Sequence, residues 1–138
     1  MRETDMYQFS AEDIANVYDN AQNENWIRDR ISERVTLGAT WLDMVAPWWI
    51  HSVSAPKLDI TSGLHCVRGQ VYGSYFDGPD MEWLDNVLHG FNHNSLEGWD
   101  QLRKAHKVPT LWVAPSITEE AELLREYWIR AIKARKAN

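Results

Sequence analysis

Cysteine is almost absent: Cys66 is the only one in 138 residues. No intramolecular disulfide can form, so the sequence predicts an intracellular rather than a secreted protein. No segment approaches the roughly 18 apolar residues of a membrane helix, and no membrane association is expected. The opening stretch MRETDMYQFSAED is acidic and polar and does not read as a signal peptide. Basic charge is also scarce. Fourteen Lys and Arg stand against twenty Asp and Glu, a net charge of −6, whereas a general DNA binder presents a basic face. No DNA partner is expected. The basic residues gather only near the C-terminus, at Arg125, Arg130, Lys133, Arg135 and Lys136. There they read as a solvated helix end that complements the helix dipole.

Catalytic signatures are missing as well. There is no glycine-rich dinucleotide or phosphate loop, no H-E-x-x-H and no G-x-S-x-G elbow. The nearest constellation is His65-Cys66 with His89 and His93. His89-x3-His93 has zinc-ligand spacing for a helix, but Gly90 is expected to end the helix between them. Cys66 and His65 are adjacent, and adjacent helical residues do not face each other. Cys66 therefore reads as a small buried apolar residue. Asp77, Asp80, Glu82 and Asp85 lack the terminal glutamate of a calcium loop and read as a solvated acidic turn. No catalytic residue, metal or cofactor is assigned.

What the chain has in excess is tryptophan: eight, at positions 26, 41, 48, 49, 83, 99, 112 and 128. A buried Trp removes on the order of 200 Å² from water, and Trp is also enriched at binding hot spots. The longest periodic stretch runs from Glu24 to Ala46. Ile27, Ile31, Val35, Gly38, Leu42 and Val45 form one apolar stripe on a 3.6-residue helix. Gly38 in that stripe implies a close backbone approach, since Gly costs about 1 kcal/mol relative to Ala in a helix. Glu24 and Arg28 are placed for an i,i+4 pair. Pro47 ends the helix.

Other elements follow from caps and periodicity. Ser10 caps a short helix over Ile14, Val17, Tyr18 and Ala21. Trp48–Val53, between Pro47 and Pro56, has the character of a short strand that Thr110–Val113 can pair with near Ile50. Thr61 or Ser62 caps a helix carrying Leu64, Val67 and Val71 and ending at Gly73. Asp80 caps a helix with Met81, Leu84 and Leu88 inward, Gly90 at the left-handed C′ position and Phe91 closing it. Ser95 caps a helix with Trp99 and Leu102 inward. Ser116 to Glu119 is a capping box that opens a last helix with the stripe Ile117, Ala121, Leu124, Trp128 and Ala131, flanked by Tyr127 and Ile132. At this length one domain, residues 1–138, is expected, burying roughly two-thirds of its unfolded surface. The predicted fold is mainly α: a compact bundle of five or six helices, with room for one two-stranded ribbon.

Several motifs resemble a group of small uncharacterised proteins of actinobacterial phages: LGATWLDMVAPWW (37–49), LDI (58–60), CVRGQVYGSY (66–75), HGF (89–91), and a terminal helix with Trp128 and a basic end. The resemblance covers roughly 34–91 and 117–136. Arg68 departs from that group's apolar residue, and 92–115 looks like an insertion, so Trp99 and Trp112 carry no inference from it. The resemblance implies a phage origin and the cytoplasm of an infected cell, but no activity and no functional residues.

The expected function is non-catalytic: an interaction module that binds a host or phage protein, or associates with itself. Acidity steers toward basic partners. Trp48 and Trp49 are consecutive, and in extended backbone they point to opposite sides. One should enter the core and the other face out beside His51, with Trp41 flanking the stripe. A structural component of a virion and a small-molecule or nucleotide binder are the alternatives. Stacking indoles suit a base, although no phosphate cradle is evident.

Overall fold

A computed structural model of the chain describes residues 24–93 and 117–137. Among these, every regular element is helical: α1 (Glu24–Val45), α2 (Trp49–Ser52), a 3-10 turn (Ala55–Lys57), α3 (Val67–Tyr72), α4 (Trp83–Leu88) and α5 (Ile117–Lys136). The mainly α fold is the one expected. The helices placed around 14–21 and 99–102, the capping Ser116 and the 110–113 half of the ribbon lie outside the described residues.

The other half of the ribbon is a correction, because residues 49–52 are a helical turn. Pro47 stops α1, yet the amide of Trp49 donates to Ala46 O at 2.8 Å and that of Val53 to Trp49 O at 3.2 Å. Trp49 and Val53 are both buried, and that burial overrides the β character of the six-residue run.

α1 and α5 lie along each other and supply most of the core. Ile27, Ile31, Val35, Ala39, Leu42 and Ala46 pack from α1, and Leu124, Trp128 and Ile132 from α5. Two stripe positions differ from expectation. Val45 is 42% exposed while Ala46 is fully covered, and Ile132 is buried where Ala131 is only half-buried. The chain crosses α1 at Gly38, through His89 and Gly90, and Val45 lies two turns beyond that crossing.

Gly38 is required by this crossing. A Cβ there would sit 1.9 Å from His89 O and 2.9 Å from Cζ2 of Trp128. The same joint is closed by Trp128, whose Nε1 donates to Gly90 O at 2.7 Å. Gly90 has φ +72°. Its amide donates to Val87 O at 3.0 Å and that of Phe91 to Asn86 O at 2.9 Å, the paired bonds of a Schellman ending. Phe91 then stacks on Trp128 at 5.5 Å.

α3 and α4 are shorter than expected. Cys66, not Thr61 or Ser62, caps α3, its Sγ accepting from Gly69 N at 3.3 Å. Ser62 instead closes a turn, its Oγ accepting from the amides of Leu64 and His65, and Leu64 is left 62% exposed. α3 ends, as expected, at Gly73 with φ +93°. α4 begins after Glu82 rather than Asp80, with no side-chain cap.

Candidate functional site

The four aromatic and imidazole side chains expected at a binding surface separate into two groups. Trp49 is core, at 1% exposed. It meets Trp128 edge to face at 6.0 Å, and its Nε1 donates to Asp43 Oδ1 at 2.9 Å. Arg135 lies over its ring at 5.6 Å and pairs with the same Asp43 at 2.8 Å. Trp48 faces out, 51% exposed. The backbone reason is not the expected pleat. Trp48 is right-handed helical, φ −76° and ψ −6°, so the two rings diverge by the roughly 100° rotation of a helix. His51 is exposed one turn on, its amide donating to Trp48 O at 3.0 Å. Trp41 is half-buried, edge-on to Phe91 at 5.8 Å and to His89 at 6.2 Å.

The structure adds neighbours that the sequence did not single out. Leu37 is 45% exposed and Met44 72% exposed. Positions 37, 41 and 44 recur at four and three residues, the spacing of a helical seam. Leu37, Trp41 and Met44 therefore form a second apolar row along α1, with Val45 beside it, and the exposed Trp48 follows in the turn after Pro47. The signal was present in the sequence. Three apolar residues at helical spacing belong to an outer row once the inner stripe has been matched to α5.

The residues weighed for chemistry do not assemble. Among the described residues, no three His, Cys, Asp or Glu side chains converge. His89 Nδ1 lies 2.7 Å from Asp85 O, and the left-handed Gly90 turns His93 off that helix. Cys66 is buried, and burial pushes its thiol up, away from the reactive thiolate. The acidic turn is only partly solvated, since Asp85 is buried.

The sequence also missed two buried arginines. Arg34, 1% exposed, donates to Val87 O at 2.8 Å, Asn92 O at 2.7 Å and Glu120 Oε2 at 3.1 Å. Burial pushes its guanidinium down, and the Glu120 carboxylate opposes that. Glu120, in the first turn of α5, is fully buried. Arg68, 4% exposed, donates to Asn86 Oδ1 and to the carbonyls of Asp77 and Pro79. The basic C-terminus likewise does more than solvate a helix end. Arg125 donates to Leu58 O and Lys136 to Val53 O, at 2.8 and 3.1 Å.

Compared with models of known protein families, with curated proteins and with solved structures, the chain matches none. No helix among the described residues is long and apolar enough to cross a membrane.

Proposed function

We propose that this chain is a non-catalytic interaction module that receives an amphipathic helix of a protein partner along the outer row of α1. The observation that carries this reading is the exposure of Leu37 and Met44 at 45 and 72%, in helical register with Trp41, with Trp48 51% exposed in the turn that follows α1. Surface apolar residues scattered singly are ordinary, but a contiguous row marks a contact site. The seam spacing suits a helix laid alongside, as in groove recognition of helical peptides. Trp supplies the anchoring area. The net charge of −6 favours a partner with a basic flank. The resemblance to phage proteins supports a host or phage protein as the partner and the cytoplasm of an infected cell as the place of action.

The test replaces Met44 by Asp and Trp48 by Ala, separately, in the full chain. Melting temperature is read beside retention of a partner captured from host lysate and beside mass by light scattering. Retained melting with loss of the captured partner supports the reading. Loss of a dimer instead would assign the row to self-association. Unchanged capture and unchanged mass in both folded variants would refute it.

A further inference from the structure

A cleft of about 230 Å³ opens between three short segments: the turn at 60–63, the pair Tyr75-Phe76, and Asn92-His93. Each segment is held from behind. Arg34 fixes the backbone at Asn92 by its 2.7 Å bond to the carbonyl. Arg68 fixes the Asp77 and Pro79 carbonyls just beyond Phe76, both at 3.0 Å, and stacks under Tyr75 at 5.7 Å. Asp59 accepts from the amide and hydroxyl of Thr61, and Tyr75 N donates to Gly63 O at 2.7 Å. Burying an arginine is costly, and both buried arginines direct hydrogen bonds to the loops that wall this one cleft. Walls fixed by supporting groups are what a binding site requires.

We propose that the cleft binds an uncharged planar heterocycle of one ring system, of nucleobase type, stacked on Phe76 and held at its edge by Asn92. The Phe76 ring is 87% exposed, an open stacking face, with Tyr75 perpendicular to it at 5.3 Å. Ile60 provides an apolar floor. The Asn92 amide gives one N–H to Tyr75 and accepts once from His93 N. One N–H and one lone pair remain on it, the pair with which Asn reads adenine. The volume is below the roughly 300–1,000 Å³ of drug-sized ligand sites, which limits the occupant to a single ring system. Among the described residues no Lys or Arg side chain lines the cleft, so none of them offers a phosphate a cation there.

The site is independent of the outer row of α1 and is tested on the isolated chain. The isotope-labelled protein is titrated with adenosine, with adenosine monophosphate and with a neutral sugar, following amide shifts by NMR. Saturable millimolar-range shifts at Gly63, Phe76 and Asn92 are expected with adenosine, none with the sugar, and no tighter binding with the phosphate. Phe76→Ala keeps the fold, because the ring is exposed, and weakens binding by roughly tenfold or more, the scale of base–aromatic stacking. A Cβ at Gly63 meets nothing within 4 Å, so Gly63→Val folds and narrows the cleft mouth, with the same loss expected. The proposal is overturned if adenosine gives no saturable shifts, or if neither variant weakens them. Tighter binding of the monophosphate would also overturn it, by placing the ligand on a cation elsewhere.

Discussion

At the scale of single residues, Asp43 shows most sharply what spacing alone leaves open. Its place one residue after Leu42 puts it on the solvent side, with its side chain 46% exposed. It is in fact a junction: it accepts from Trp49 Nε1 and pairs with Arg135 of α5. The Arg135 hydrogen bond, with that of Trp49, holds its carboxyl below the ordinary aspartate value despite a smaller opposing effect of burial. A lowered folded-state value means that the unfolded chain takes up the proton first as the solution is acidified. The contribution to stability is therefore complete above the ordinary aspartate range, near about 4. It is lost as pH falls through that value toward the folded one. Asp43→Asn should lower the melting temperature at neutral pH and flatten part of the acid limb of a melting-versus-pH curve. The side chain is half in water, so the effect is modest and shrinks with added salt. An acid limb identical in the two proteins would show that Asp43 ties nothing.

Between elements, the deciding bond is the buried pair of Arg34 and Glu120. Periodicity found both long helices, because their apolar rows recur at 3.6 residues. It could not find this pair, because Arg34 and Glu120 read as polar residues on amphipathic helices, 86 residues apart. Polar residues are placed inside only by partners, and partners are a property of the tertiary fold. The same limit explains Arg68. A contrast on the same two helices tests the pair. Arg28 and Glu126 also link α1 to α5, but with side chains 30 and 40% exposed, against 1 and 0% for Arg34 and Glu120. Glu120→Gln removes the carboxylate charge that faces the buried Arg34 guanidinium and should cost about 3–5 kcal/mol in urea unfolding. Glu126→Gln should cost about 1 kcal/mol or less. Equal costs would place Arg34 in water. The double change Arg34→Met with Glu120→Leu should cost less than the two singles combined, yet not recover fully, because Val87 O and Asn92 O each lose the Arg34 donor, Val87 O keeping the Gly90 amide.

For the molecule as a whole, the long-range architecture is an α1–α5 pair to which a less regular unit, residues 58–93, is joined at a few points. Each helix of the pair was legible in the sequence, because two long stripes and a basic last turn mark them. The joined unit was only half legible. Gly90 announced its left-handed turn and Gly73 the end of its helix, and φ is positive at both. The short α3 and α4 did not reveal their starts, because a cysteine cap and an uncapped start carry no sequence signature. The surface roles of Trp48 and Trp49 were legible as a pair but not in assignment, since which ring is buried depends on Asp43 and Arg135 reaching it. This division predicts unequal local stability. Amides inside α1 and α5, around Leu42 and Trp128, should exchange with solvent only by global unfolding, while Tyr75 and Asp77, bonded to Gly63 O and Ser74 O, should open locally. Arg68 is the link to break. Arg68→Met keeps an apolar chain in the buried site but releases the carbonyls of Asp77 and Pro79. Hydrogen exchange followed by NMR should then speed up at Tyr75 and Asp77 by roughly tenfold, which corresponds to about 1.4 kcal/mol, with little change at Leu42 and Trp128. Equal acceleration at all four amides would mean that the 58–93 unit and the helix pair unfold as one, with Arg68 at the centre of a single cooperative core.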